Sequence, residues 1–304
     1  MDRLEGMSIF VAVVESGSLT SAGRRLGMPL PTVSRKLAEL EEHLGARLLL
    51  RSTRRLTLTD AGSAYFQSCK RILDEVGDAE RQVAGEQLAP KGELVLTAPI
   101  VFGRLHILPV VNEFLAAYPE INIRIWLSDR NMHLLEDRLD LAVRIGALPD
   151  SSMLATRVGE VRYIVCGSPG HFEQWGIPTD LDQLANRPSI AFDMLGSPPS
   201  WTFRLGENGR DHTVAIRPRL TVNTAEAALD AAIAGVGITR VLSYQAARAI
   251  KEGGLRVVLD AFEQQPLPIW LLHQAQGTIP LKLRSFIDFA APRLRRRLDG
   301  VEPA

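Results

Sequence analysis

Between Leu30 and Gly45 the residues able to make specific polar contacts are gathered at one end of a helical pattern. Pro31, Thr32, Ser34, Arg35 and Lys36 come first, while Val33, Leu37, Leu40 and Leu44 recur at i, i+4, i+7 and i+11. That spacing sets the apolar residues on one helix face and presents the first set outward. Hydroxyls and a guanidinium at an exposed helix start are the groups that read base edges in a major groove. Pro31 suits the first turn, where its missing N–H costs nothing, and Gly45 is a natural stop. An ordinary amphipathic surface helix would show the same stripe, so what precedes it decides. Ser18 can cap a helix with apolar Leu19, Ala22 and Leu26, and Gly27 ends it. Only Met28-Pro29-Leu30 separates the two, which makes a helix, a tight turn and a second helix.

A second group able to hold phosphate follows at Arg51, Arg54 and Arg55. Leu48 and Leu50, then Leu56 and Leu58, alternate with polar positions on either side of Arg51–Arg54. This predicts a β-hairpin with a basic tip, a wing reaching phosphates or a narrow minor groove. The charge distribution agrees. Formal net charge is zero over 304 residues, yet eight basic and only three acidic side chains lie between Arg24 and Thr59. A basic head on a neutral body is the electrostatic footprint of a DNA-binding module.

Other chemistry is weakly represented. No Ser/His/Asp order, phosphate-cradling glycine loop or metal-ligand cluster stands out, so no catalytic residue, cofactor or metal site is expected. Gly235-Val-Gly-Ile follows a helix and enters a strand, the reverse of a dinucleotide turn. The six histidines are scattered. Cys69 and Cys166 have no local pairing motif, which fits a reducing compartment. The N-terminus reads as a capped helix, not a leader, and no apolar run is expected to span a bilayer. A cytoplasmic location follows as the expectation.

These groups need elements to position them. Leu4, Met7, Val11 and Val14 mark a first helix, completing a three-helix unit. Thr59 can cap a long helix from Asp60 to about Glu86. Its Tyr65, Cys69, Ile72, Val76, Ala79 and Val83 form a heptad seam. A helix of ~27 residues is about 40 Å long, and a stripe of that length with no partner helix adjacent in sequence implies a second chain. Ala89-Pro90-Lys91-Gly92 punctuates the pattern as a hinge. Strands are then expected at 93–98, 121–128, 141–145, 162–167, 189–192, 219–222, 237–241, 255–259 and 267–273. Helices are expected at 105–118, 131–138, 225–234, 243–252 and 281–298. Such alternation is α/β, in two small lobes with parallel-rich sheets. The fold class is therefore multidomain, α+β in the head and α/β in the body. Domains are expected at 1–59, 60–88 and 89–304, the last with lobes of about 93–165 plus 267–298, and 166–266.

At this point the chain resembles the LysR-type transcriptional regulators over nearly its whole length. Phe10-Val-Ala-Val-Val-Glu-Ser-Gly-Ser-Leu-Thr, Pro31-Thr-Val-Ser-Arg-Lys-Leu with Leu40-Glu-Glu-His-Leu-Gly, and Leu48 through Gly62 carry the resemblance. Ser-Asp-Arg130, Asp140-Leu-Ala-Val-Arg-Ile-Gly146 and Pro149-Asp-Ser-Ser152 resemble one large branch of that family. The resemblance implies a winged helix-turn-helix, a linker-helix dimer and an effector domain like type 2 periplasmic binding proteins. It also implies a chain path returning to lobe one, homodimers or tetramers, and pseudo-palindromic sites on double-stranded DNA. Base contact carries over to Pro31, Thr32, Ser34 and Arg35, and backbone contact to Arg51, Arg54 and Arg55. The family commonly has Ser-Gln before the recognition-helix proline. Here Pro29-Leu30 replace the cap and a polar contact, placing Leu30 against a thymine methyl.

In an open α/β sheet, ligands bind beyond the carboxyl ends of the strands. Those ends gather Pro99, Ile100, Val101 and Phe102, then Ser128 and Asp129, then Arg144, Ile145 and Gly146. The other lobe adds Asn223 and Thr224, which with Glu226 read as a capping box and as an anion site. With Trp201 as a further apolar wall, the expected effector is a small organic anion between the lobes. For Arg144 the structural alternative is an internal pair with Asp129 or Asp140. A solute-binding protein and a thiol-based redox-sensing regulator are the competing functions. The missing leader and the DNA-binding head oppose the first, and the separation of the two cysteines opposes the second.

Overall fold

The structure is a computed structural model of the chain. It describes residues 2–51, 56–83, 89–130, 132, 134, 137, 139–148, 153–192, 199–204, 211–274 and 279–298, with backbone alone at 51, 75, 78, 79 and 81–83. The chain divides into two compact units, Met1–Ala89 and Pro90–Ala304.

The first unit comprises α1 (Arg3–Ser16), α2 (Leu19–Leu26), α3 (Leu30–Leu44), β1 (Leu49–Arg51), β2 (Leu56–Leu58) and α4 (Asp60–Val83). Ser18 caps α2 through its Oγ, which accepts from Ser21 N at 3.1 Å. No side chain caps α3, whose cap position is Pro29. Val33, Leu37 and Leu40 are buried with Phe10, Val13, Ala22, Leu48 and Leu49 in one core. Burying three such side chains contributes about 1.5–3 kcal/mol each. Leu44 departs from its stripe and stays 38% exposed, since it lies in the last turn beyond the core. The hairpin forms with Leu50 opposite Thr57. Its inward residue is Leu49, while Leu50 is 58% exposed. Thr59 caps α4, its Oγ1 accepting from Gly62 N at 2.9 Å. At Gly62 a Cβ would lie 2.0 Å from the Leu48 carbonyl oxygen, so only glycine lets this helix start meet the wing.

The lower part of the seam on α4 is satisfied within the chain, contrary to expectation. Cys69 is fully buried in the head's core. Tyr65 and Phe66 lie against Phe10, with ring centroids 5.8 and 6.3 Å away. The cause is helix α1, distant in sequence but adjacent in space. Ile72 and Val76 are half-buried. The side chains of Ala79 and Val83, and the expected helix end at Glu86, lie outside the described residues.

The second unit holds two five-stranded sheets of matching order. In lobe one they are β3 (Gly92–Ala98), β4 (Ile121–Leu127), β5 (Leu141–Ile145), β6 (Met153–Val161) and β14 (Leu267–Gln274), ordered β4-β3-β5-β14-β6. In lobe two they are β7 (Tyr163–Gly167), β8 (Ser189–Phe192), β11 (Pro218–Val222), β12 (Ile238–Leu242) and β13 (Arg256–Val258), ordered β11-β8-β12-β7-β13. In each the first three strands are parallel and the fourth is antiparallel to both neighbours. Helices α5 (Ile100–Phe102), α6 (Leu108–Ala117) and α11 (Leu281–Leu298) serve lobe one. Helices α7 (Pro169–Trp175), α8 (Leu181–Ala185), α9 (Ala225–Ile233) and α10 (Ser243–Lys251) serve lobe two, as does a hairpin of β9 (Ser200–Arg204) and β10 (Asp211–Ala215). The chain crosses at Arg162 and returns after Gln264. The first lobe therefore ends at Val161 rather than 165, because β7 already pairs with β12.

Several expectations change. The helix expected from Leu105 begins at Ile100 and passes through a π turn at Gly103–Ile107. Of the helix expected at Asn131–Arg138, the described residues Met132, Leu134 and Asp137 are not helical. Strand β6, the β9–β10 hairpin, α7 and α8 were not expected. The run Ile100–Ala117 is long and apolar enough to cross a membrane, against the expectation. Its Val101, Phe102, Ile107, Val110, Val111 and Phe114 are buried in the core of lobe one.

Candidate nucleic-acid interface and interlobe cleft

Helix α3 is held by both neighbours of its exposed turn. Val33, Leu37 and Leu40 anchor it inward, and Glu41 Oε1 accepts from Leu48 N at 2.7 Å and Leu49 N at 3.1 Å, tying it to the wing. This leaves Leu30, Pro31 and Arg35 exposed and Thr32 and Ser34 at the margin. Arg35 is 64% exposed and, among the described residues, pairs only with Glu39 on its own helix. Lys36 departs from the outward set. Its ammonium pairs with Glu5 of α1, and its side chain is one-fifth exposed. Arg25 pairs with Glu15 at 2.7 Å, so α1 neutralises two of the basic residues in the head. In the wing, Arg51 forms the end of β1 opposite Leu56. Its side chain, and Arg54 and Arg55, lie outside the described residues.

In the second unit the parallel strand ends of the two lobes face each other. Glu226, in the first turn of α9, pairs with Arg104 of the π turn at 2.7 Å. Tyr244, at the start of α10, packs edge-on against Phe102 at 5.4 Å and faces His106 at 5.6 Å. His106 is buried, and burial pushes its imidazole down to about 4. Its Nε2 has no partner among the described residues.

The cleft residues are thereby sorted. Pro99 takes the cap position of α5, and Asp129 Oδ1 accepts from Ile100 N at 3.0 Å. Burial raises the Asp129 carboxyl, and the nearby Glu226 charge adds to that. Ser128 Oγ accepts from Arg130 N at 3.1 Å. Val101 and Phe102 are buried because the earlier helix start turns them inward, and Phe102 meets Tyr244 of lobe two there. Ile145 also packs against that core. Arg144 lies on the other face of the sheet and donates to the Met132 carbonyl oxygen. Burial lowers its ordinary value. Asp140 accepts from Val95 N at 2.8 Å. Gly146 has φ +111°, a conformation that requires glycine, and its carbonyl accepts from Trp270 Nε1 at 3.1 Å.

In lobe two, Trp201 is buried under the hairpin with Phe172, Phe203 and Val214, not at the cleft with Ile100. The unforeseen hairpin fixes it there. Thr224 alone caps α9, its Oγ1 accepting from Ala227 N at 3.3 Å, and Asn223 is exposed. The expected capping box does not form, since Glu226 reaches across to Arg104. Sequence reasoning passed over Arg240. Its guanidinium lies 4.1 Å from the Tyr163 ring centroid and 5.4 Å from that of Phe203. The signal was the one that singled out Arg144, a cation inside an apolar strand.

Among the described residues no cluster of His, Cys, Asp or Glu could hold a metal ion. Both thiols are buried, and burial pushes Cys69 up to about 11 and Cys166 up to about 12. Such thiols stay protonated and poorly reactive.

Two family models match the chain. Residues 4–63 match the bacterial regulatory helix-turn-helix protein of the lysR family, and residues 88–295 match the LysR substrate binding domain. An HTH-type transcriptional regulator of Xanthomonas campestris is 36% identical over 290 residues, covering 94% of this chain and 84% of the relative. The HTH-type transcriptional activator AaeR of Escherichia coli is 30% identical, with 95% and 93% covered. Among solved structures, CrgA of Neisseria meningitidis matches with a TM-score of 0.61 at 31% identity, covering 95% of this chain and 98% of that one. Full-length AphB of Vibrio cholerae matches at 0.59 and 28% identity, covering 94% and 98%. With a DNA-binding helix-turn-helix and an effector-binding domain in that order, this chain belongs to the LysR family of bacterial transcriptional regulators.

Proposed function

We propose that the chain reads specific sequences in double-stranded DNA as a homodimer or homotetramer, and that a small organic anion bound between its lobes controls that activity. One observation carries the first part. The core-anchored α3 offers Leu30, Pro31, Thr32, Ser34 and Arg35 at its open end while Val33, Leu37 and Leu40 are buried. A helix of this length extends about 22 Å, and only its first turns enter a groove. At about 1–3 kcal/mol per base pair read, one head cannot discriminate within a genome, so two heads on paired half-sites are required. Residues 1–59 serve as the head and 60–88 as the dimerising linker. Residues 89–304 serve as the sensor, with Pro99, Ile100, Ser128, Asp129, Asn223 and Thr224 at the facing strand ends.

The experiment is recovery of genomic fragments by the purified protein. The expected result is a small set sharing a two-part site, and recovery in proportion to abundance would refute sequence reading. For the sensor, an effector at a hundredfold its dissociation constant stabilises the protein by about 2.7 kcal/mol. A melting screen of carboxylates detects that shift, and no response to any of them would refute the anion.

A further inference from the structure

The geometry points to Arg240, held between the rings of Tyr163 and Phe203, as the receptor for a carboxylate at the lobe-one edge of lobe two. This rests on the reading of the second unit as an anion sensor and deepens it.

Position comes first. The parallel strands of lobe two end toward lobe one, as the Arg104–Glu226 and Phe102–Tyr244 contacts show. Arg240 lies two residues before the end of β12. It shares a strand face with Ile238, which packs under the hairpin, while Val241 packs against α9 on the other face. The cation is therefore near the strand end that faces lobe one, beside Tyr163 and Phe203.

Its surroundings are those of a charge kept for a partner. Arg240 donates to Gln264 Oε1 at 3.0 Å, its single acceptor among the described residues. A guanidinium has five N–H donors, so most have no acceptor among the described residues. The nearby carboxylate of Glu263 pairs with Arg162 at 2.9 Å and also acts on Arg240 as a more distant counter-charge. Burial of Arg240 lowers its ordinary value. Ring faces attract a cation without neutralising it, and the single Glu263 charge is shared between two guanidiniums, Arg162 and Arg240. A carboxylate would satisfy the free edge of the fork in two parallel hydrogen bonds, and a flat ligand body would continue along the rings. Arg144 occupies the matching third strand of lobe one, but its guanidinium is already bonded to the Met132 carbonyl.

The test is melting of the full-length chain with benzoate, phenylacetate or succinate, and with benzamide as the uncharged counterpart of benzoate. Wild type, Arg240→Met and Arg240→Lys are compared. Arg240→Met is expected to melt within a few degrees of wild type without ligand, because Glu263 keeps Arg162 as its direct partner. It is also expected to lose the carboxylate shift, while Arg240→Lys keeps a reduced one and benzamide shifts none of the three. An equal shift in wild type and Arg240→Met would overturn the role of Arg240 and leave the anion sensor standing. Arg240→Met melting several degrees lower while keeping the shift would make Arg240 a structural strut and overturn it too. No shift of wild type by any of the three carboxylates would overturn both.

Discussion

Arg35 and Lys36 are neighbours in sequence with opposite surroundings, and the difference is a matter of one residue's rotation. Arg35 is open, while Lys36 is drawn onto Glu5. We expect Lys36→Met to cost up to about 1 kcal/mol of stability and to leave sequence preference intact, as urea unfolding and competition binding would measure. The helical period revealed which residues leave the core, but no period reveals that an acid on another helix will claim one of them. His106 carries a second prediction at this scale. Its folded value of about 4 lies below the ordinary value of about 6.5, so the unfolded chain takes up the proton first. Stability must fall as pH drops from about 6.5 to about 4, by roughly 3 kcal/mol. The raised carboxyls of Asp129 and Glu263 act with the opposite sign. The difference between wild type and His106→Gln in urea midpoint at pH 7 and pH 5 isolates the imidazole. An equal pH dependence in both would contradict its burial as the cause.

At the scale of elements, α4 is divided by what it packs against. Phe10 of α1 covers Tyr65 and Phe66 beside buried Cys69, whereas Ile72 and Val76 are only half-buried. Charge at the two places should therefore act differently. Ile72→Glu or Val76→Glu is expected to dissociate the oligomer while the head stays folded, because an unpaired carboxylate in a helix pair costs several kcal/mol. Phe10→Ala is expected to cost about 3–5 kcal/mol and to unfold the head. Light scattering with circular dichroism separates the outcomes, and an unchanged oligomer for both α4 variants would refute the seam. The seam's spacing was legible in the sequence, but its partner was not, since α1 lies some fifty residues away. Most strands were legible as short apolar runs. Strand β6 was not, because its residues from Met153 to Ala155 are exposed and carry no alternating pattern. The helix start at Ile100 escaped notice because the π turn breaks the period between Phe102 and Leu108.

Across the whole molecule, alternating strands and helices foretold two lobes, and the family resemblance implied the return of the chain to the first. They did not foretell how the lobes touch, which depends on side chains over a hundred residues apart. The Arg104–Glu226 pair is about half exposed on each side, so Arg104→Ala should cost no more than about 1 kcal/mol. Tyr244 is 3% exposed and packs into the core of lobe one. Tyr244→Ala should cost about 3–5 kcal/mol, read as a drop in urea midpoint. Equal small losses would contradict an aromatic lobe contact. The central claim concerns the other unit, that α3 selects a DNA sequence while the wing grips the backbone. It is tested most directly by competition binding of the full-length protein to a recovered genomic site against random DNA, at two salt concentrations. Arg35→Ala is predicted to lose preference for the site while still binding DNA. Arg55→Ala is predicted to weaken both alike and flatten the salt dependence. Equal loss on site and random DNA for Arg35→Ala would contradict the account.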